Sequence, residues 1–168
     1  RDLVGRTAVL YGDCPLLPAA LLRDLVHRTT EAGADCGLVT ASLADPTGYG
    51  RIVRNPAGYV ARIVEDRDCS AAERAIHEVN PGLYAFETDF LREGIQQLDM
   101  DNAQGELYLT DVVELAAKRG KVINIEGDMS ELTGINDRRE LALAAATRRR
   151  AIAEELARKG VGVVDLDT

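Results

Sequence analysis

Three segments near the start of the chain restrict what it can fold into. Thr7 to Tyr11 (TAVLY) is a short apolar run stopped by Gly12, Asp13 and Pro15. Pro18 to Ala32 carries Leu21, Leu22, Leu25 and Val26 at helical spacing, with proline at its start and Gly33 just past its end. Cys36 to Ser42 is apolar again. Strand, helix, strand within about 35 residues is a βαβ unit. It commits the chain to an α/β fold with a right-handed crossover and a parallel sheet, in which the first strand is expected to be buried on both faces.

The rest of the sequence fits that frame. Asp45 to Arg51 (DPTGYGR) reads as a shaped loop, and Ile52–Arg54 and Tyr59–Glu65, separated by Asn55, Pro56, Ala57 and Gly58, predict a hairpin. Arg67 to Glu78 is polar and tolerates helix. Leu83–Glu87 (LYAFE) predicts a strand running into a helix from Thr88 to Leu98. Thr110 is the expected N-cap of a helix over Asp111–Arg119 that Gly120 ends; Lys121–Ile125 predicts a further strand, and Arg138–Arg158 a long, partly exposed helix.

Composition narrows the function. Hydrophobic residues make up 46% of the 168 and charged residues 29%, an ordinary globular balance that argues against a disordered chain. The net charge of -8 removes any general attraction to nucleic acid or anionic lipid, so neither is an expected partner. An anionic nucleotide would need a local device: a metal ion, a helix N-terminus or backbone amides. Cys14, Cys36 and Cys69 form no CxxC pair, and with no secretory leader or apolar span the expected compartment is the cytoplasm.

Few residues carry chemistry on their own pattern. Asp13 ends the first strand, where open α/β sheets bind ligands; its carboxylate is either a Mg²⁺ ligand or a turn-capping group beside Pro15. Gly48, Tyr49 and Gly50 either bring backbone amides to a sugar or phosphate or form a plain hairpin-entry turn. Glu65 and Asn80, at strand ends, either hydrogen-bond sugar hydroxyls or are ordinary exposed polar residues. Asn136 is either the N-cap of the last helix or an amide ligand for a hard cation. His27 and His77 are isolated, and no nucleophile elbow, zinc spacing or P-loop is present, so nothing points to covalent catalysis.

Six blocks, in order, resemble the uridylyltransferase domain of the bacterial bifunctional N-acetylglucosamine-1-phosphate uridylyltransferase/glucosamine-1-phosphate acetyltransferase family. They are LYGDCPLL at 10–17, LADPTGYGRIVR at 43–54, IVEDRD at 63–68, EVNPGLYAF at 78–86, NAQGELYLTDVV at 102–113 and GINDRREL at 134–141. The resemblance implies a Rossmann-like nucleotide-diphospho-sugar transferase fold with a mixed, mostly parallel sheet. The implied reaction makes UDP-N-acetylglucosamine, a precursor for peptidoglycan and lipopolysaccharide, and pyrophosphate from UTP and N-acetylglucosamine 1-phosphate. It implies Asp13 and Asn136 as catalytic ligands of Mg²⁺, with Tyr11, Gly50, Glu65 and Asn80 around the sugar phosphate. Arg51, Tyr49, Asn102, Gln104, Glu106 and Thr110 are given positioning at most. The chain departs from the family at Pro81, where a small hydroxyl residue is usual, and at Arg67, in place of lysine.

The family also has a first βα unit with a basic, glycine-rich loop for the UTP phosphates, and a left-handed β-helix domain that makes it a trimer. The expectation is therefore a chain lacking its first βα units: residues 1–137 a partial uridylyltransferase domain, 138–168 a connecting helix and the start of a missing β-helix domain, inactive alone and possible as a monomer. The competing expectations are a sibling nucleotidyltransferase with another sugar or nucleotide, a noncatalytic sugar-phosphate-binding fragment and, third, a structural interaction protein.

Overall fold

The structure, a computed structural model, describes residues 4–166; the outermost residues of the two expected segments, 1–3 and 167–168, lie outside the described residues. The elements are β1 (Arg6–Val9), α1 (Ala19–Glu31), β2 (Cys36–Ser42), β3 (Gly50–Arg54), β4 (Val60–Val64), a 3-10 turn (Asp66–Asp68), α2 (Ala71–Arg74), β5 (Glu78–Asn80), β6 (Tyr84–Glu87), α3 (Thr88–Ile95), α4 (Thr110–Lys118), β7 (Val122–Glu126), α5 (Met129–Leu132) and α6 (Arg138–Arg158). The strands form a sheet in the order β1-β6-β2-β5-β3-β4, with β7 beside β2.

The class is the expected one, α/β with a mixed sheet, but the expected preponderance of parallel pairing needs correction. Among the described residues the parallel ladder is β2 with β7; β6 lies antiparallel between β1 and β2. The crossover helix does make β1 and β2 point the same way. It does not decide which strand fills the slot between them, and a strand from later in the chain does so. β1 is also no doubly buried strand: it sits at the end of the strand order, and Ala8 is exposed.

Alternation along the strands divides the core between two faces. Cys36, Leu38, Tyr84 and Phe86 pack with Phe90 and Leu91 of α3 and Val112, Val113 and Ala116 of α4. Val39, Ala41 and Ala85 pack with Leu25 of α1, Ile125, and Met129 and Leu132 of α5. β5 and β6 both lie against β2, with Ala41 opposite Val79 and Leu38 opposite Tyr84. The bend at Pro81 and Gly82 interrupts that edge and leaves Asn80 at the end of β5.

Helix ends differ from their expected places for identifiable reasons. Most of the polar 67–78 stretch is not helical; one short helix, α2, forms where Ser70 and Glu73 make a capping box. The helix after β6 stops at Ile95, short of the expected Leu98. Thr110 is inside α4, and Leu109 precedes it without a side-chain cap, so the threonine hydroxyl is free for another partner. Asp137, rather than Asn136, caps α6: its carboxylate accepts the Glu140 amide (2.7 Å), while Glu140 accepts the Asn136 backbone N–H (2.7 Å). α6 buries no residue along its 21 positions, a rod about 31 Å long.

One close contact fixes α1 on the sheet. A Cβ at Gly37 would lie 1.9 Å from Thr29 Oγ1, which is buried and donates to the Leu25 carbonyl (2.6 Å). Gly37→Ala should therefore lower unfolding stability by about 2–3 kcal/mol, through overpacking, in a urea titration. An unchanged midpoint would show that α1 can move away from β2 without cost.

Candidate functional site

The loops at one end of the sheet enclose a cleft of about 370 Å³. The turn after β1 contributes Tyr11, Asp13 and Cys14, the loop into β3 contributes Thr47 to Gly50, and the residue after β4 is Glu65. The β5–β6 bend adds Asn80 and Pro81, and the segment from α5 towards α6 adds Leu132, Gly134 and Asn136. Tyr11, Asp13, Gly50, Glu65, Asn80 and Asn136, all named from the sequence, thus line one cavity.

Asp13 and Asn136 line the same cleft, and the backbone joins their segments. The Ile135 N–H donates to the Asp13 carbonyl (3.0 Å). A Cβ at Gly134 would lie 2.7 Å from Asp13 Oδ2, so the missing side chain leaves the carboxylate its seat. The Cys14 thiol donates to the Leu132 carbonyl (3.3 Å) and holds the same turn against α5. Asp137 takes the capping role, and the side-chain amide of Asn136, at the cleft lining, has no hydrogen-bond partner among the described residues. No cluster of three or more His, Cys, Asp or Glu side chains suited to a metal occurs among the described residues. A cation here would be held by one carboxylate, one amide oxygen and oxygens of a ligand, a set that suits a hard ion such as Mg²⁺.

The opposite wall is hydrogen-bonded in advance. Glu65 Oε1 accepts the Thr110 hydroxyl (3.0 Å), and its Oε2 lies 3.4 Å from where a Gly50 Cβ would stand. Burial holds the Glu65 carboxyl above the ordinary range; the Thr110 hydrogen bond opposes this, and Asp111, Asp68 and Asp66 reinforce it. Asn80 is buried, its Nδ2 donating to the Tyr84 hydroxyl (2.6 Å) and its Oδ1 accepting the Gly82 N–H (3.1 Å). One N–H and one lone pair of that amide remain for a ligand. The Tyr11 ring packs over Gly82, and burial, with Glu65 and Asp13, raises its phenol, which stays a neutral donor.

Cys14, Thr47, Leu132 and Gly134 also line the cleft and were not singled out from the sequence. The residue pattern offered no signal for Cys14 beyond its place beside Asp13, or for Gly134 beyond its place in the last block. Arg51, Asn102, Gln104 and Glu106 lie outside the lining. Asn102 instead organises its own turn, its Oδ1 accepting the Gln104 and Glu106 amides (3.1 and 3.2 Å). Thr110 acts on Glu65 and does not cap its helix. His77 Nδ1 is hydrogen-bonded with the Leu43 carbonyl (2.8 Å), and His27 is exposed beside Glu31.

The raised Glu65 carboxyl makes the stability of the fold depend on pH. The folded chain holds this proton more tightly than the unfolded one, so ionising Glu65 costs stability. That cost is absent below about pH 4.3 and grows until the pH passes the raised value. Glu65→Gln should therefore gain stability relative to the parent as pH rises from about 4 through that window, measured by denaturation at several pH values. A difference independent of pH would show that the carboxyl is not perturbed.

Residues 6–129 match the family model described as Nucleotidyl transferase. Bifunctional protein GlmU of Limosilactobacillus fermentum is 42% identical over 99% of this chain and 37% of its own length. The protein of the same name from Anaeromyxobacter sp. is 48% identical over 98% of this chain and 34% of its own, and that of Corynebacterium efficiens 46% over 96% and 34%. The chain thus spans roughly a third of the length of these curated relatives. A Bacillus anthracis protein described as a glucose-1-phosphate thymidylyltransferase, solved in complex with sucrose, aligns with a TM-score of 0.57 at 23% identity, over 74% of this chain and 47% of that one. That likeness supports the fold. On the family match, which covers β1 through the start of α5, the chain belongs to the nucleotidyl transferase family.

Proposed function

We propose that this chain forms the sugar-phosphate side of an N-acetylglucosamine-1-phosphate uridylyltransferase, acting in the cytoplasm and making UDP-N-acetylglucosamine and pyrophosphate from UTP and N-acetylglucosamine 1-phosphate. The observation that carries the reading is the meeting of Tyr11, Asp13, Gly50, Glu65, Asn80 and Asn136, distant in sequence, around one cleft. The identity to the GlmU relatives over nearly the whole chain adds to it. We assign residues 1–137 to the uridylyltransferase domain and 138–168 to a connecting helix leading to a β-helix domain through which the full-length protein forms a trimer.

In this reading a phosphate oxygen of the sugar phosphate attacks the α-phosphorus of UTP in line. A new P–O bond forms, the bond from the α-phosphorus to the bridging oxygen breaks, and pyrophosphate leaves. Such a transfer needs positioning and charge neutralisation more than covalent help. Asp13 and Asn136 would hold Mg²⁺, which when bound neutralises charge on the phosphoryl oxygens. Glu65 accepts hydrogen bonds from sugar hydroxyls, and the fixed Asn80 amide offers its remaining donor and acceptor. The Gly50 backbone approaches the sugar without a side chain in between, and the neutral Tyr11 phenol donates. The acidic Glu65 belongs at the sugar and away from the phosphates, where its charge would repel them.

Pro81 favours a second reading. It lines the cleft and has no hydroxyl to offer beside the sugar, which suits a sibling enzyme taking another sugar 1-phosphate. Substrate competition in the full-length protein separates the two: N-acetylglucosamine 1-phosphate should be preferred over glucose 1-phosphate, and the reverse order supports the sibling.

Asp13→Ala in the full-length protein should lower turnover by roughly a hundredfold or more without unfolding it. Parental rates with ordinary Mg²⁺ dependence would remove Asp13 from the site. Calorimetric binding of the sugar phosphate to the full-length protein, with no binding of UTP, would instead mark a noncatalytic sugar-phosphate module.

A further inference from the structure

We infer that Arg51 is a positioning residue that sets the separation between the two chain segments gripping the sugar, an inference that rests on the function proposed above. Arg51 belongs to β3, lies outside the cleft lining, and is 2% exposed, an uncommon depth for a guanidinium. Its fork joins two segments. Nη1 donates to the carbonyl of Tyr49, and Nη2 donates to Asp66 Oδ1 at 2.9 Å. Tyr49 immediately precedes Gly50, and Asp66 immediately follows Glu65. One rigid planar group thus ties the backbone carbonyl before Gly50 to the side-chain carboxylate of the residue after Glu65.

Stability alone gives a poor account of this arrangement. Arg51 Nε is the one buried side-chain nitrogen or oxygen among the described residues without a hydrogen-bond partner. An orphaned buried donor disfavours folding, and an apolar side chain of similar size would fill the space without that penalty. The benefit is therefore geometric. Register between Arg51 and Val64 already sets Gly50 next to Glu65, and the fork fixes how far the loop before β3 and the turn after β4 can part. A lysine ammonium, a point donor on a flexible stem, does not span both acceptors in a fixed plane. Arg74, half-exposed, lies 3.8 Å from the same Asp66 Oδ1 and adds a second positive charge there.

The test uses the full-length protein with Arg51→Lys and, as the milder second variant, Asp66→Asn. The readouts are KM for N-acetylglucosamine 1-phosphate, KM for UTP, and amide hydrogen exchange at residues 48–50 and 65–68. We expect the sugar-phosphate KM to rise roughly tenfold with the UTP KM within about twofold, and exchange to quicken in those two segments. An unchanged sugar-phosphate KM in a folded variant, or an equal rise in both KM values, overturns the inference. If Arg51→Lys does not fold, Asp66→Asn decides by the same criteria. If the parent turns over no sugar phosphate, the proposed function fails separately. The clamp is then judged on exchange: faster exchange confined to the two segments supports it, and unchanged rates overturn it.

Discussion

A single backbone hydrogen bond, from the Ile135 N–H to the Asp13 carbonyl, organises the cleft. It fastens the turn that follows the first strand to the segment that precedes the last helix, the two parts of the site farthest apart in sequence. Everything at that wall depends on it. Gly134 can then lie against the Asp13 carboxylate because it has no Cβ, Cys14 can reach the Leu132 carbonyl, and Asn136 lines the same cleft with its side-chain amide uncommitted. Asp137 completes the arrangement by capping α6, which leaves the neighbouring asparagine free for a ligand.

The facing wall follows a different logic. It is built from strand ends whose side chains are fixed by partners outside the cleft: Thr110 on Glu65, and Tyr84 and the Gly82 amide on Asn80. Such prior hydrogen bonding reduces the ordering cost of binding and favours a rigid, polar ligand such as a sugar. It would also reconcile an acidic protein with the anionic substrates proposed for it. With a net charge of -8 the chain attracts no phosphate at long range, so the carboxylates must be divided by task. In the proposed function Asp13 would meet phosphates through a cation, while Glu65, partly buried and less readily ionised, would face hydroxyls.

Much of this was legible in the sequence, and what was not has physical reasons. The strands and helices flanking Gly33, Gly58 and Gly120 lay close to where turn chemistry put them, and Cys36–Ser42 is β2 itself. The placement of β6 between β1 and β2 was not readable, because periodicity records which face a strand buries and not which strand becomes its neighbour. Helix caps are readable by type but not by residue: Asn136 and Asp137 are both good caps, and the cap is Asp137 because its carboxylate accepts the Glu140 N–H while Glu140 takes the Asn136 backbone N–H. Of the six proposed site residues, Asp13, Gly50, Glu65, Asn80 and Asn136 are candidates by their place at strand ends, in the glycine loop and before the last helix, while motif resemblance adds Tyr11 and gives all six their roles. Gly134 and Cys14 were invisible because their contribution is a close approach between distant segments. Arg51 looked like a positioning residue, but its depth and its orphaned Nε belong to packing that a linear pattern does not encode.

In the proposed enzyme Asp13 and Asn136 would hold one ion together. The direct measurement is a titration of Mn²⁺, followed by electron paramagnetic resonance, into the full-length protein with UTP and sugar phosphate present. It should cover the parent, Asp13→Ala, Asn136→Ala and the double variant. If one ion is shared, each single change weakens binding and the double variant is weakened by less than the sum of the two in free energy, because either loss already breaks the joint site. Strictly additive losses, or Mn²⁺ affinity indifferent to both changes, would contradict the account.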